Sequence, residues 1–308
     1  MSDESSASKG GLKDPIGCLY LVATPIGNLE DITVRALRIL GEADLIACED
    51  TRRTVKLLNH YNLRKETLSY HEHNEMTRAA ELVIRMEQGA RVALVSDAGT
   101  PVISDPGHHL VHLCLRHRIP VIPIPGPSAA ITALAVSGLP TEEFVFVGFL
   151  PARSSERRKD LQRLAAETRT LIFYEAPHRL AEMLAEAVER FGRRQAVVAR
   201  ELTKIHEEFL RGDLAELAVM ARTNPPRGEL TVLIAGAQPG EAPIELPKMP
   251  LRERMEQLMR DKNLTRNPAL KEAARERGLT RRQAYDELLK GGLTRRRFST
   301  PRWWRSRK

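Results

Sequence analysis

The sequence predicts an α/β protein made of two successive series of short strands and helices, with a small helical appendage at the carboxyl end. Three observations carry that expectation. Apolar runs of four to six residues alternate with amphipathic, helix-length segments from Cys18 to Ile234, the pattern of βα units around a largely parallel sheet. The stretch Ser137-Gly138-Leu139-Pro140-Thr141 breaks that alternation in two. Beyond Leu251 the charge changes abruptly: residues 251–308 carry 18 Lys/Arg against 7 Asp/Glu, whereas the 250 residues before them carry 30 against 33. The expected organisation is a disordered leader over 1–13, an α/β domain over 14–138, a second over 139–236, a linker over 237–250 and a basic, helix-turn-helix-like tail over 251–308.

Taken in order, Cys18–Ala23 is the first strand, and Thr24-Pro25-Ile26-Gly27-Asn28 is turn chemistry. Asp31 reads as the N-cap of a helix bearing Val34, Leu37 and Leu40 on one face. Strand Leu45–Cys48, turn Glu49-Asp50-Thr51 and a helix with Val55 and Leu58 repeat the unit. A strand near Leu68 leads to a helix from about Glu75 to Gln88, stopped by Gly89. Strand Arg91–Val95 then empties into SDAGTPVISDPG, Ser96 to Gly107, which has two Gly, two Pro, two Ser and two Asp and nothing that packs as core. A helix near Leu110–Arg116, strand Val121–Ile124, loop Pro125–Ser128 and the Ala-rich segment from Ala129 to Val136 close the first series.

The second series opens with strand Phe144–Val147 and a basic, polar connection, Arg153 to Lys159. Strand Thr170–Tyr174 runs into Glu175-Ala176-Pro177-His178-Arg179, with Pro177 at a helix start. A helix to about Phe191, strand Ala196–Ala199, a helix near Leu214–Met220 and strand Glu229–Ile234 complete it. Gly236 to Pro250 holds four Pro and two Gly, a linker composition. Beyond it, Leu270, Ala273 and Ala274 share one helix face, Gly278 ends that helix, and Thr280 with Gln283 forms a capping-box pattern that starts another. In that second helix Ala284 and Leu288 point inward, and Arg281 and Arg282 outward. The terminal Arg295-Arg296-Arg297-Phe298 and Arg302-Trp303-Trp304-Arg305 interleave guanidinium groups with aromatics, which suits stacking on unpaired bases and contact with phosphates.

Composition excludes several classes. No apolar run approaches the roughly 20 residues that span a bilayer, and MSDESSASKGG has no signal-peptide core. Cys18, Cys48 and Cys114 are far apart among apolar neighbours, as reduced thiols of a cytoplasmic protein would be. Neither a dinucleotide-binding glycine fingerprint nor a P-loop is present. His71 and His73 are two residues apart and His108 and His109 adjacent, so no metal site is expected. The basic tail points to a polyanion, most often nucleic acid. The turns at Thr24–Asn28, Ser96–Gly107, Pro125–Ala130, Glu175–Arg179 and Arg200–Lys204 all follow apolar strands. Together they predict a ligand cleft at the carboxyl ends of strands from two domains.

These segments resemble a known family. LVATPIGNLEDIT (Leu21–Thr33), ACEDTRRT (Ala47–Thr54), SDAGTPVISDPG, PGPSAAITAL (Pro125–Leu134), FYEAPHR (Phe173–Arg179) and GELTVLIAG (Gly228–Gly236) are similar to the tetrapyrrole-methylase-like class, class III, of S-adenosylmethionine-dependent methyltransferases. Porphyrin-acting members usually carry a Gly-rich first turn and a GGDP-type second loop. Pro25-Ile26-Gly27 and Asp97-Ala98-Gly99-Thr100-Pro101 stand there instead, as in the branch that methylates the 2′-hydroxyl of a cytidine in 16S rRNA.

The resemblance implies two α/β domains with S-adenosylmethionine in the cleft between them, a homodimer, and the 16S rRNA of the 30S ribosomal subunit as partner. It implies donor contacts from Pro25, from Asp97, Ala98, Gly99 and Thr100, and from Ile103. It also implies them from Ser128 and Ala129, from Glu175 and Ala176, and from Leu230 and Thr231. A ribose hydroxyl is a poor nucleophile while protonated, so a base should stand nearby. Glu49 or Asp50 is the candidate, with capping of the next helix as the competing role. Arg52, Arg53, His178, Lys204, Arg281 and Arg282 are the candidate RNA contacts. A non-catalytic sensor of S-adenosylmethionine that binds nucleic acid, and a porphyrinogen methylase, remain the alternatives.

Overall fold

The computed structural model describes residues 17–238, 250–261, 264–276 and 279–290, which fall into two compact units separated within the 239–249 stretch. The expected leader, most of the linker, Gly278 and the Arg/Trp terminus lie outside the described residues.

In the larger unit, the first sheet holds β1 (Cys18–Val22), β2 (Leu45–Cys48), β3 (Thr67–Ser69), β4 (Arg91–Val95) and β5 (Val121–Ile124). All its pairings are parallel and its order is β3-β2-β4-β1-β5. Parallel strands need covering on both faces. Ala79, Leu82 and Met86 of α3 (Glu75–Glu87) and Leu110 of α4 (His108–Arg116) cover one. Ile39 and Leu40 of α1 (Val34–Glu42) and Leu58 of α2 (Thr51–His60) cover the other. The N-cap of α1 is Thr33, whose Oγ1 accepts from the Ala36 amide at 3.1 Å. Asp31, expected there, ends a short 3₁₀ turn capped by Asn28, and the shifted start turns Val34 out to solvent.

The second sheet, in order β6-β7-β10-β8-β9, corrects the expectation of largely parallel pairing. Its strands are β6 (Phe144–Phe149), β7 (Thr170–Glu175), β8 (Gln195–Arg200), β9 (Glu208–Asp213) and β10 (Leu230–Ile234). Only β6 and β7 pair in parallel; β10 is antiparallel to both β7 and β8, and β9 to β8. The reason is β9, a partly exposed edge strand whose apolar run is too short to read. Its hairpin with β8 reverses the chain, so that β10, arriving through α8 (Leu214–Thr223), enters against its neighbours.

The basic connection 153–159 is also structured, as the start of α6 (Ser154–Leu164). Arg157 of α6 is 1% exposed and reaches Glu186 of α7 (Leu180–Phe191) at 2.6 Å. Helix α7 starts three residues after Pro177, which therefore lies in the preceding turn.

The two sheets share a core. Ile26 of the first turn and Ala130, Ala133 and Leu134 of α5 (Ala129–Ser137) pack with Ile172, Val197, Ala199, Leu202 and Leu233. The contact is tight enough that a Cβ on Gly27 would lie 2.5 Å from Lys204 Cγ and 2.8 Å from the Leu202 carbonyl.

The described residues of the smaller unit form helices α9 (Leu251–Asp261), α10 (Arg266–Glu276) and α11 (Arg281–Lys290), around Met255, Leu258, Leu270, Ala273 and Ala284. The capping box forms: Thr280 N donates to Gln283 Oε1 at 2.9 Å and Gln283 N to Thr280 Oγ1 at 3.3 Å. Helix α9, absent from the sequence expectation, completes a core that two short helices cannot close.

Candidate active site

Where the two sheets meet, a cleft of about 460 Å³ opens, walled by Ile26, Arg53, the 97–105 loop, Ser128 and Ala129 on one side. Phe149, the 174–177 turn, Leu202 and the segment 228–231 wall the other. Its first wall is stitched from backbone: Thr24 and Gly99 exchange both main-chain hydrogen bonds, at 2.9 and 3.0 Å, and Thr24 Oγ1 donates to the Ser96 carbonyl. Gly99 sits at φ +80°, a left-handed conformation that favours glycine. With Gly99 committed to Thr24 and the Ala98 carbonyl accepting from Ser96 Oγ at 3.2 Å, Thr100 and the Ala98 amide are left to face the cleft.

The next residues are strained. Val102 (φ 77°) and Ser104 (φ 62°) both lie in the left-handed region, where a β-branched residue is a clear outlier. The strain delivers Ile103, half exposed, and Asp105 to the cleft. Space for the loop comes from the opposite sheet: β6 bulges between Phe146 and Gly148, and a Cβ on Gly148 would lie 2.8 Å from Ser104 Oγ.

Four carboxyl groups collect at this end of the first sheet, in different states. Asp97 is engaged: Oδ1 accepts from the Asp50 amide at 3.1 Å and Oδ2 pairs with Arg53 at 3.3 Å. Asp50 caps α2 through the Arg52 amide and pairs with the Arg52 guanidinium, hydrogen bonds that hold its carboxyl down at about 2. A carboxylate so stabilised is a weak base, and neither Asp50 nor Arg52 lines the cleft. Burial, followed by the charges of Asp97 and Glu72, pushes Glu49 up. Burial, with the Glu49 charge added, pushes Asp105 up to about 6 against a hydrogen bond from Ser96.

On the facing wall, Glu175 is buried. Its Oε1 accepts from the Ala176 amide at 2.8 Å and pairs with Arg179 at 3.3 Å. Its Oε2 is buried with no hydrogen-bond partner among the described residues, and burial raises the group. Arg179 fixes this turn by also donating to the carbonyls of Leu150 and Pro151.

Most expected donor contacts therefore surround one cavity; Pro25 does not line it, and its neighbour Ile26 does. Of the expected RNA contacts, Arg53 lines the cleft and His178 stands just outside it, exposed. Lys204 is committed elsewhere, clamped by Glu201 at 2.9 Å and Glu229 at 3.1 Å. Arg282 is exposed on the smaller unit, and the side chain of Arg281 lies outside the described residues. Phe149, Tyr174, Leu202 and Glu229 line the cleft without having been singled out as ligands, and so does Asp105, to which the sequence reading gave no catalytic role. The SDPG ending of the long loop was the one sequence signal for Asp105. His108 and His112 are one turn apart on α4, yet among the described residues no three His, Cys, Asp or Glu converge on a metal position.

A family model described as Tetrapyrrole (Corrin/Porphyrin) Methylases matches residues 18–218, a span that holds the first wall and all of the second except the segment 228–231. The chain is 50% identical over 271 residues to ribosomal RNA small subunit methyltransferase I of Synechocystis sp., covering 88% of this chain and 96% of that protein. The chain belongs to the tetrapyrrole methylase family, in its ribosomal RNA small subunit methyltransferase I branch. The relative of the same name from Thermotoga maritima is 49% identical over 223 residues, which are 72% of this chain and all of that one. A protein of this branch thus has no counterpart to about a quarter of this chain. The fold is also that of uroporphyrin-III C-methyl transferase from Thermus thermophilus, solved in complex with S-adenyl homocysteine. That match has a TM-score of 0.51 and 22% identity over 70% of this chain and 97% of that one.

Proposed function

We propose that the chain methylates the 2′-hydroxyl of a cytidine in 16S rRNA, with S-adenosylmethionine as donor. Its relatives are named for methylating small-subunit rRNA, which does not favour the sensor and porphyrinogen alternatives. One observation carries the reading at the site: a single cleft joins Glu175, whose buried Oε2 has no partner among the described residues, on one wall to the raised carboxyl of Asp105 on the other, with Glu49 behind it and off the lining.

The residues present fit the donor. Ala98, Thr100, Ser128 and Ala129 would hold it from one side, and Ala176, Leu230 and Thr231 from the other. Glu175 Oε2 offers a buried acceptor to a molecule rich in ammonium, amino and hydroxyl donors. The donor, when bound, supplies a methyl group made electrophilic by a sulfonium. The chain's remaining tasks are alignment and removal of the hydroxyl proton.

With Asp97 tied to Arg53 and Asp50 to the helix cap, Glu49 and Asp105 are left for that proton. Asp105 lines the cleft and its carboxyl titrates near the working pH. We assign it the proton, with Glu49 as the neighbouring charge that raises it. Arg53, at the rim, would meet a phosphate. The smaller unit, with Arg281 and Arg282, would add RNA affinity, and the active form would be a cytoplasmic homodimer.

The test is tritium transfer from labelled donor to 30S particles, free 16S rRNA, DNA and uroporphyrinogen. Label in rRNA at a cytidine whose 3′ linkage resists alkali is expected. Label on uroporphyrinogen alone, on a base, or on nothing overturns the proposal.

A further inference from the structure

Beside the cleft lies a second groove of about 770 Å³, and the two share Pro177 and Gly228 as a common wall. Leu210 of β9, Met220 of α8 and Pro226 give it apolar sides. Two guanidinium groups, Arg200 and Arg227, and the imidazole of His178 stand on it, with one acid, Glu208. Arg200 is neutralised by Glu208 at 3.1 Å. His178 and Arg227 are exposed, and neither makes an ion pair among the described residues.

The shared wall is built rigidly. Gly228 sits at φ +93°, and a Cβ there would lie 2.2 Å from Glu201 Oε1. That oxygen is held by the Glu229 amide and by Lys204 Nζ, both at 2.9 Å. Glu201 N in turn donates to the Glu229 carbonyl at 3.0 Å. Pro225-Pro226, next to it, restricts the backbone further.

Charge decides which way an acceptor strand leaves the cleft. The first-sheet side gathers Glu49, Asp97 and Asp105, and its Arg53 is paired with Asp97; the acids of the facing side are each paired, Glu175 with Arg179, Glu229 with Lys204 and Glu208 with Arg200. The Pro177–Gly228 side leads to Arg227 and His178. An RNA strand whose ribose faces Asp105 therefore runs its next phosphate over that ridge. An unstacked base then meets apolar walls, as bases of single-stranded RNA do in protein sites.

We propose that this groove is the subsite for the nucleotide adjoining the methylated one, its phosphate held by Arg227 and His178 and its base against Leu210, Met220 and Pro226. The proposal rests on the rRNA-methylation reading. Its test compares wild-type protein with Arg227→Glu and Arg227→Lys, measuring KM for the RNA acceptor, direct filter binding of the same RNA, and S-adenosylmethionine affinity. Expected are a rise in KM of tenfold or more for Arg227→Glu and recovery to within a few-fold for Arg227→Lys. The slope of log affinity against log salt should fall by about 1 in Arg227→Glu. Donor affinity should stay within twofold in both variants. An Arg227→Glu KM within twofold of wild type, or a donor affinity that falls in step with it, overturns the groove. Absence of label on rRNA with the wild type strikes the methylation reading instead, and filter binding by wild type and Arg227→Glu then still decides the groove.

Discussion

Asp105 and Asp50 are both aspartates on loops after parallel strands, and their surroundings give them opposite properties. Asp50 meets three donors from Arg52 and is held at about 2; Asp105 meets burial and the charge of Glu49 and rises to about 6. Activity should therefore climb with pH through about 6 and level off above it. Asp105→Asn should remove most of kcat and, with it, the titration near 6, while donor binding by calorimetry stays. The groups facing Asp105 are Glu49, Asp97, Ser96 and Tyr174, so Glu49→Gln should lower the midpoint of the profile rather than abolish turnover. The linkage has a definite sign. A carboxyl raised in the folded state binds its proton more tightly there than in the unfolded chain, so stability falls as pH rises from about 4 to about 6. Asp105→Asn relieves that burden and should gain about 1 kcal/mol at pH 7 once solvent screening is allowed for, an inactive but sturdier protein. Asp50→Ala loses a helix cap and should lower the melting temperature by a few degrees with kcat nearly intact, and Asp50→Asn, which still caps, should leave both unchanged. A wild-type kcat in Asp105→Asn would return the base assignment to Glu49.

Helix α6 shows what the sequence conceals at the level of elements. Its few apolar inward positions include Leu161 and Leu164, and a third inward position is Arg157, fully buried. Apolar periodicity cannot find a helix that hides a charge. Burial alone would raise Glu186, but hydrogen bonds from Arg157, Ser154 and Arg158 override it and hold the group below its ordinary value. Arg157→Ala leaves Glu186 Oε2 without its partner while Ser154 and Arg158 still hold Oε1, and should cost about 3 kcal/mol in denaturant unfolding, the low end for a broken buried pair. Arg157→Met with Glu186→Leu should recover most of it. The same limit explains the second sheet. Apolar runs mark β7, β8 and β10 but carry no direction, and the partly exposed β9 that reverses the chain has little apolar signal. The first sheet was legible because all its strands are parallel and each ends in Gly, Pro or acidic turn chemistry. The same turns made one wall of the cleft readable. The other wall draws Phe149 and Tyr174 from positions that read as ordinary strand, and only the packing of one sheet on the other brings them to the site.

Across the whole molecule, the charge and the cleft belong to different units. The larger unit holds every cleft residue, while the excess of Lys and Arg lies in residues 251–308. The Thermotoga maritima relative, matched over its full length, leaves about a quarter of this chain without a counterpart. Methyl transfer should then survive without the basic unit, and what that unit supplies is counterion-releasing contact with phosphates, a term that raises affinity and steepens its salt dependence. A chain ending at residue 250 keeps the sheets' shared core and both cleft walls. It should melt within a few degrees of the full chain, bind S-adenosylmethionine equally well, and keep kcat on saturating acceptor. Its KM for rRNA should rise tenfold or more near 150 mM salt, and the gap should widen as salt is lowered and close as it is raised, because the truncated chain neutralises fewer phosphates and releases fewer ions. Kinetics at three salt concentrations check this. A truncated chain with unchanged KM at every salt concentration would show that the basic unit serves some partner other than the methylated RNA.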